Sequence, residues 1–276
     1  MIPFHPMRVG KRKITGICPL CLQEAELRNS HIVPLGFFAE VRQQGTPTFA
    51  SAKRGASWQM QGGMHEHMLC PTCERLLGDE YDRYAIDILR NGRAGVVVHS
   101  REEGFILAGV DVNRLKLFVL SVFWRAHHAK KVPLENVDIG EKAELDIRNF
   151  LLSGSAPARN SYPIFGAALI NPHSNEIERE FMTGVIRHKR PDDENLRTFL
   201  VVFGGVAWYA LLGEDGGKDE NVHLFLDSPD FFIPAVNILE FEPFRTAWPS
   251  VLMGIKRLER KKHRMPGAAQ KPPLRK

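Results

Sequence analysis

The chain has 276 residues, with 37 Lys+Arg against 32 Asp+Glu for a formal net charge of +5; 43% of positions are hydrophobic and 25% charged. That length and balance can build a substantial core, which excludes disordered, collagenous and disulfide-stapled chains. Four cysteines are too few for a secreted scaffold, the N-terminus turns basic at Arg8, Lys11, Arg12 and Lys13 without an apolar segment, and the longest uncharged run, Thr198 to Gly213, is split by Gly204-Gly205. The expectation is a cytoplasmic protein without signal peptide or membrane span.

The charge is unevenly placed. Residues 1–95 hold 12 basic and 9 acidic side chains, residues 96–255 hold 16 and 22, and residues 256–276 hold 9 and 1. The body at 96–255 is thus acidic and the 256–276 tail strongly basic. Such a tail can bind phosphate backbones by releasing counterions, or can serve as a solubilising C-terminus whose cations complement a helix dipole. The acidic body argues against a broad nucleic-acid surface there, leaving at most a local strip at Arg187, Lys189, Arg190 and Arg197.

In chain order, residues 14–36 contain a Cys-bearing turn, a short strand at 25–28 and Ser30-His31-Ile32-Val33-Pro34. Residues 42–63, rich in Gly, Gln and Ser, read as a long polar loop or irregular hairpin. A helix runs from Pro71 to about Arg90, since Leu76, Leu77, Tyr81, Tyr84, Ala85 and Ile88 recur at helical spacing. Strands at 95–99 and 104–108 flank a charged turn, and a helix over 113–129 presents a broad apolar face. Another helix over about 140–152 ends at Ser153-Gly154, where glycine suits a left-handed cap. Strands follow near 162–170, 180–188, 197–203, 206–212 and 222–226, with a hairpin at Gly204-Gly205, and a helix near 250–264 closes the chain.

The fold class is therefore α+β: a module at 1–92, a larger α+β domain at 93–255 and the basic tail at 256–276. Cys18-Pro-Leu-Cys21 and Cys70-Pro-Thr-Cys73 use every cysteine. A two-residue spacer lets both sulfurs of a turn reach one ion, and four thiolates suit tetrahedral zinc, so the expectation is structural Zn2+. The competing readings are a redox pair or four unrelated buried thiols. Because 48 residues separate the pairs, something folded is inserted between the two halves of the site.

With Asn29-Ser30-His31-Ile32-Val33-Pro34 and Met68-Leu69-Cys70-Pro71-Thr72-Cys73-Glu74, the chain resembles the HNH, or His-Me finger, nucleases over about residues 16–84. It is also similar to a group of uncharacterised bacterial and phage proteins with an S-H-I-x-P motif, a C-x-x-C-E helix and a downstream Trp-Arg helix, matched here by Trp124-Arg125. The resemblance implies a small zinc-stabilised ββα-metal module and a metal-dependent endonuclease. His31 would be the general base, Asn29 and Glu74 would assist, and Glu74, Glu80 and His67 would be candidate ligands for Mg2+ or Mn2+. The implied partner is nucleic acid, DNA ahead of RNA, with a protein partner for 93–255 also open.

The sequence departs from the family at three points. Ser30 stands where a metal-binding Asp is usual, Glu74 where a His or Asn is common, and no Asn occurs between Ser30 and Arg90. A catalytically inactive zinc-scaffolded nucleic-acid- or protein-binding module is therefore the alternative. His65 and His67 alternate as on one face of a strand, where they could serve a metal, a phosphate or solvent. Asp79 and Asp82 read as solvated helix acids, Trp124 as core rather than a base-stacking platform, and His127-His128 as a helix C-terminus.

Overall fold

The computed structural model describes residues 13–38, 48–51, 56–59, 63–90, 92, 96–130, 137–158, 161–179, 181–188, 198–212 and 224–245. The fold is α+β. The 250–264 helix, the basic tail and the strip at Lys189, Arg190 and Arg197 lie outside the described residues.

Strands β1 (Thr15–Ile17) and β2 (Glu24–Glu26) pair antiparallel around the first cysteine turn. That turn closes by Cys18 N–H donating to Gln23 O (2.9 Å) and Leu22 N–H to Cys18 O (2.8 Å), with Leu22 at φ +60°. Strand β3 (Arg28–His31) runs into a 3-10 turn at Leu35–Phe38. The Gly-rich segment that follows contains a hairpin of β4 (Thr48–Ser51) and β5 (Ala56–Gln59). Strand β6 (His65–Leu69) then returns antiparallel to β3 and leads directly into helix α1 (Pro71–Leu77), with Pro71 in the first turn, where its missing N–H costs nothing.

The expected helix from Pro71 to Arg90 is present with a defect. A π-turn at Gly78–Asp82 separates α1 from α2 (Arg83–Leu89). Strands β7 (Val97–Arg101) and β8 (Gly104–Ala108) form a hairpin. Helix α3 (Val112–His128) starts on an Asp111 cap, whose Oδ1 accepts from Arg114 N–H at 3.0 Å, and buries nearly its whole length. Helix α4 (Glu141–Ser153) ends at Gly154, φ +71°, the left-handed cap the sequence foretold.

The remaining strands are β9 (Ile164–Asn171), β10 (Glu176–Ile177), β11 (Phe181–Thr183), β12 (Ile186–His188), β13 (Thr198–Phe203), β14 (Val206–Leu211) and β15 (Phe231–Asn237). Among the described residues they build a sheet ordered β12-β13-β14-β9-β15-β8-β7, with β10 added to β9; β11 instead pairs parallel with β4. Gly204 (φ +62°) and Gly205 (φ +79°) make the expected β13–β14 turn, a conformation that needs positive φ at both positions.

Two expectations change. The segment near 222–226 is not a strand where it is described, although Phe225 and Leu226 are buried, and β15 was not anticipated because Pro234 interrupts its apolar run. The structure shows how that proline is accommodated. Residues up to Pro234 pair antiparallel with β8, and Ala235–Asn237 pair parallel with β9, so the missing donor falls where the strand changes partner.

A continuous hydrophobic cluster runs from Cys18 and Ile32 through α3 to Phe231 and Ile233, across position 92. Phe37 of the 3-10 turn lies against Phe118 of α3 (ring centroids 6.0 Å) and Phe203 of β13 (5.0 Å). Burying one such side chain contributes about 1.5–3 kcal/mol.

Candidate metal centre and the adjoining histidine face

The β1–β2 turn and the start of α1 bring the four cysteines together, with one sulfur from each lying within 4.8 Å of the others. Cys21 and Cys70 sulfurs are 3.8 Å apart, about the 3.8 Å edge of a tetrahedron of thiolates around an ion at roughly 2.3 Å. Cys18, Cys70 and Cys73 are buried, and Cys70 caps α1 by accepting Cys73 N–H at 3.5 Å. Burial and neighbouring thiols hold the Cys73 pKa far above the ordinary thiol range, and burial raises Cys21. At Cys70 burial works the same way, but the N–H of Cys73 and the neighbouring sulfurs outweigh it and lower the pKa. Soft, clustered thiols without a disulfide could hold one metal ion, compatible with structural zinc.

Next to this centre β3 and β6 face each other in the register His31↔His65, Ser30↔Glu66 and Asn29↔His67, with an irregularity between Arg28 and Asn29. The pleat sends alternate side chains to opposite faces. Ser30 is fully buried and donates its hydroxyl to Glu74 Oε2 of α1 at 2.5 Å, while accepting Leu69 N–H at 3.3 Å. Among the described residues no donor reaches Glu74 Oε1.

The other face of β3–β6 carries Asn29, His31, His65 and His67. His31 and His65 rings meet edge to face with centroids 5.4 Å apart, and His65 Nδ1 lies 2.8 Å from Asn29 Oδ1. An amide oxygen accepts, so His65 Nδ1–H is the donor in this contact.

The sequence-derived site thus divides. His31 lies at the end of β3, and Ser30 and Glu74 are in direct contact, whereas Asn29 is engaged with His65 rather than with Glu74. His67 is exposed opposite Asn29. Glu80 is turned to α3, where its backbone oxygen accepts Arg114 Nε at 2.8 Å and its carboxylate lies 3.9 Å from the same guanidinium. His65 is the residue that the sequence left ambiguous and the structure distinguishes from His67; its position opposite His31 depends on the β3–β6 register, which local sequence does not fix.

Asp82 corrects a further expectation. It is not a solvated acid: Arg125 of α3, buried to 3% exposure, grips it through NH2 to Oδ1 (2.8 Å) and NH1 to Oδ2 (3.1 Å). The same NH1 donates to the His31 carbonyl at 3.0 Å. Trp124 is core, as expected, with its Nε1 donating to Glu144 at 3.2 Å. A cleft of about 400 Å3 opens between the cysteine turn and helices α3 and α4, lined by Pro19, Leu22, His127, His128, Glu141, Glu144 and Arg148; none of His31, Asn29 and Glu74 lines it.

Comparison with protein-family models, with curated proteins and with solved structures returns no match. Among the described residues no helix is long and apolar enough to cross a membrane.

Proposed function

We propose that this chain is an HNH-like metal-dependent endonuclease with a structural zinc on Cys18, Cys21, Cys70 and Cys73. The observation that carries the reading is the 2.5 Å contact between Ser30 and Glu74, which sets the end of β3 against the first turn of α1. The contact keeps Glu74 one residue along β3 from His31, with the two side chains on opposite faces of the strand.

In this reading neutral His31 takes a proton from the attacking water, the work of a general base near neutrality. Glu74 offers Oε1 as a hard oxygen ligand for Mg2+ or Mn2+. A cation bound there supplies charge stabilisation to the scissile phosphate and the leaving oxygen. The partner is nucleic acid, DNA ahead of RNA, drawn by the basic residues at the chain's two ends. Residues 93–255 would select the target or bind a protein.

One observation favours the alternative, an inactive zinc-scaffolded nucleic-acid- or protein-binding module: the Ser30 hydroxyl already occupies one oxygen of Glu74. A nicking assay on plasmid and single-stranded DNA with Mg2+ or Mn2+ separates the two. The nuclease reading expects His31→Ala to lose about 100-fold or more in rate. Equal activity in wild type and His31→Ala would overturn it, and salt-sensitive binding without cleavage would favour the module.

A further inference from the structure

The buried arginine of α3 lies between two parts of the candidate site that are remote from it in sequence. Every nitrogen of Arg125 is engaged: Nε with Ser121 O (3.2 Å), NH2 with Ser121 Oγ and Asp82 Oδ1 (both 2.8 Å), and NH1 with Asp82 Oδ2 (3.1 Å) and His31 O (3.0 Å). Asp82 is the last residue of the π-turn, a helix irregularity that is common at functional sites.

The peptide unit that follows His31 is therefore held at both ends. Its oxygen accepts from Arg125, and its nitrogen, the Ile32 N–H, donates to Met64 O at 2.9 Å. Fixing that plane fixes the backbone torsion that aims the His31 side chain. Lysine could not reproduce the arrangement, because a point ammonium lacks the planar fork that serves a carboxylate and a carbonyl together.

We infer that Arg125 is a positioning residue for His31: α3, outside the zinc-bearing module, completes the site by clamping the His31–Ile32 peptide, with Asp82 orienting the guanidinium. The role in cleavage rests on the nuclease reading; the clamp itself does not.

Removing Arg125 alone would leave the half-buried Asp82 carboxylate without its cation, so the test uses two other variants of the full chain. R125M/D82L replaces the ion pair by apolar groups, an exchange folded proteins often tolerate, and R125K retains the charge without the fork. Zinc content and melting temperature report the fold, hydrogen exchange at the Ile32 amide reports the clamp, and steady-state cleavage of duplex DNA with Mn2+ reports kcat against KM.

With zinc content and melting near wild type, the Ile32 amide is expected to exchange about tenfold faster relative to the β13 amides, as the loss of a charge-assisted hydrogen bond implies. The rate kcat should fall about 100-fold, the scale of an ångström's misplacement, while KM moves less than about threefold. A folded variant with wild-type Ile32 exchange and wild-type kcat overturns the proposal. If R125M/D82L does not fold, R125K carries the same readouts. If the wild type cuts no substrate, the nuclease reading fails by itself, and Ile32 exchange still decides whether Arg125 holds His31.

Discussion

The Ser30 hydroxyl donates to Glu74 across 2.5 Å, a contact between a fully buried strand residue and the first turn of a helix. A carboxylate in place of that hydroxyl would face Glu74 at a distance where two like charges cannot both ionise without cost. Ser30→Asp is therefore expected to melt below wild type without divalent metal and to regain stability with Mn2+. Ser30→Ala should lose about 1.5–3 kcal/mol, as for a hydrogen bond to a charged group, whether or not Mn2+ is present. Thermal melts with and without Mn2+ check both; a Ser30→Asp protein indifferent to Mn2+ would mean that Glu74 does not border a cation position.

His65 and His67 are alike in sequence and exposed on the same strand face, but among the described residues only His65 hydrogen-bonds the Asn29 side chain and meets the His31 ring. On the nuclease reading, cleavage by His65→Ala should fall by up to about 100-fold, the low end for proton-transfer groups, whereas His67→Ala stays within about threefold. Parallel rate measurements on the two proteins are decisive: equal losses would remove the distinction.

At the candidate metal centre burial holds the Cys73 and Cys21 thiols above their ordinary values, so these two resist losing their protons without metal. Ligation needs thiolates, so zinc uptake should release protons and affinity should rise with pH through neutrality. Competition with a chromophoric chelator over a pH series measures this. Chelating the metal, or replacing Cys70 with Ser, should unfold the β1–β2 turn before β13 and β14, which hydrogen exchange would resolve.

Lys116 of α3 is buried, with Nζ donating to the carbonyls of Pro157 (3.3 Å), Ala158 (3.2 Å) and Ser161 (3.0 Å). Burial pushes its pKa down from 10.5 to about 8, with Asp227 pulling the other way. Between those values the unfolded chain binds more protons than the folded one, so this group makes stability rise with pH from about 8 to about 10.5. The rise is on the order of 3 kcal/mol. Urea unfolding of wild type and Lys116→Met across that range should show it as a difference between the two proteins, in which other titrations cancel.

The parts of this molecule legible in the sequence are those encoded locally. Paired cysteines two residues apart, the Gly204-Gly205 turn, the Gly154 cap and the apolar face of α3 each depend on neighbours within a turn or two, and the structure has each of them. What escaped depends on distant partners. Asp82 reads as one more surface acid until Arg125, 43 residues away, is folded against it. The π-turn that separates α1 from α2 leaves no trace in the hydrophobic spacing. Strand β15 hides behind Pro234, which is tolerable only because β8 and β9 flank it from opposite sides. At the site, His31 and Glu74 could be named from their motifs, but the choice of His65 over His67 required the register of β3 on β6.

Phe37 packs against both Phe118 and Phe203, so the cysteine-bearing segment and the large sheet share apolar surface instead of meeting across a polar seam. A cassette cut after residue 92 would carry Phe37 without either partner ring. The segment is thus poorly suited to transplantation onto an unrelated scaffold, and sequence drift in β13 or α3 would be felt at the strand that bears His31. Whatever chemistry that strand performs, its heredity is tied to the whole chain.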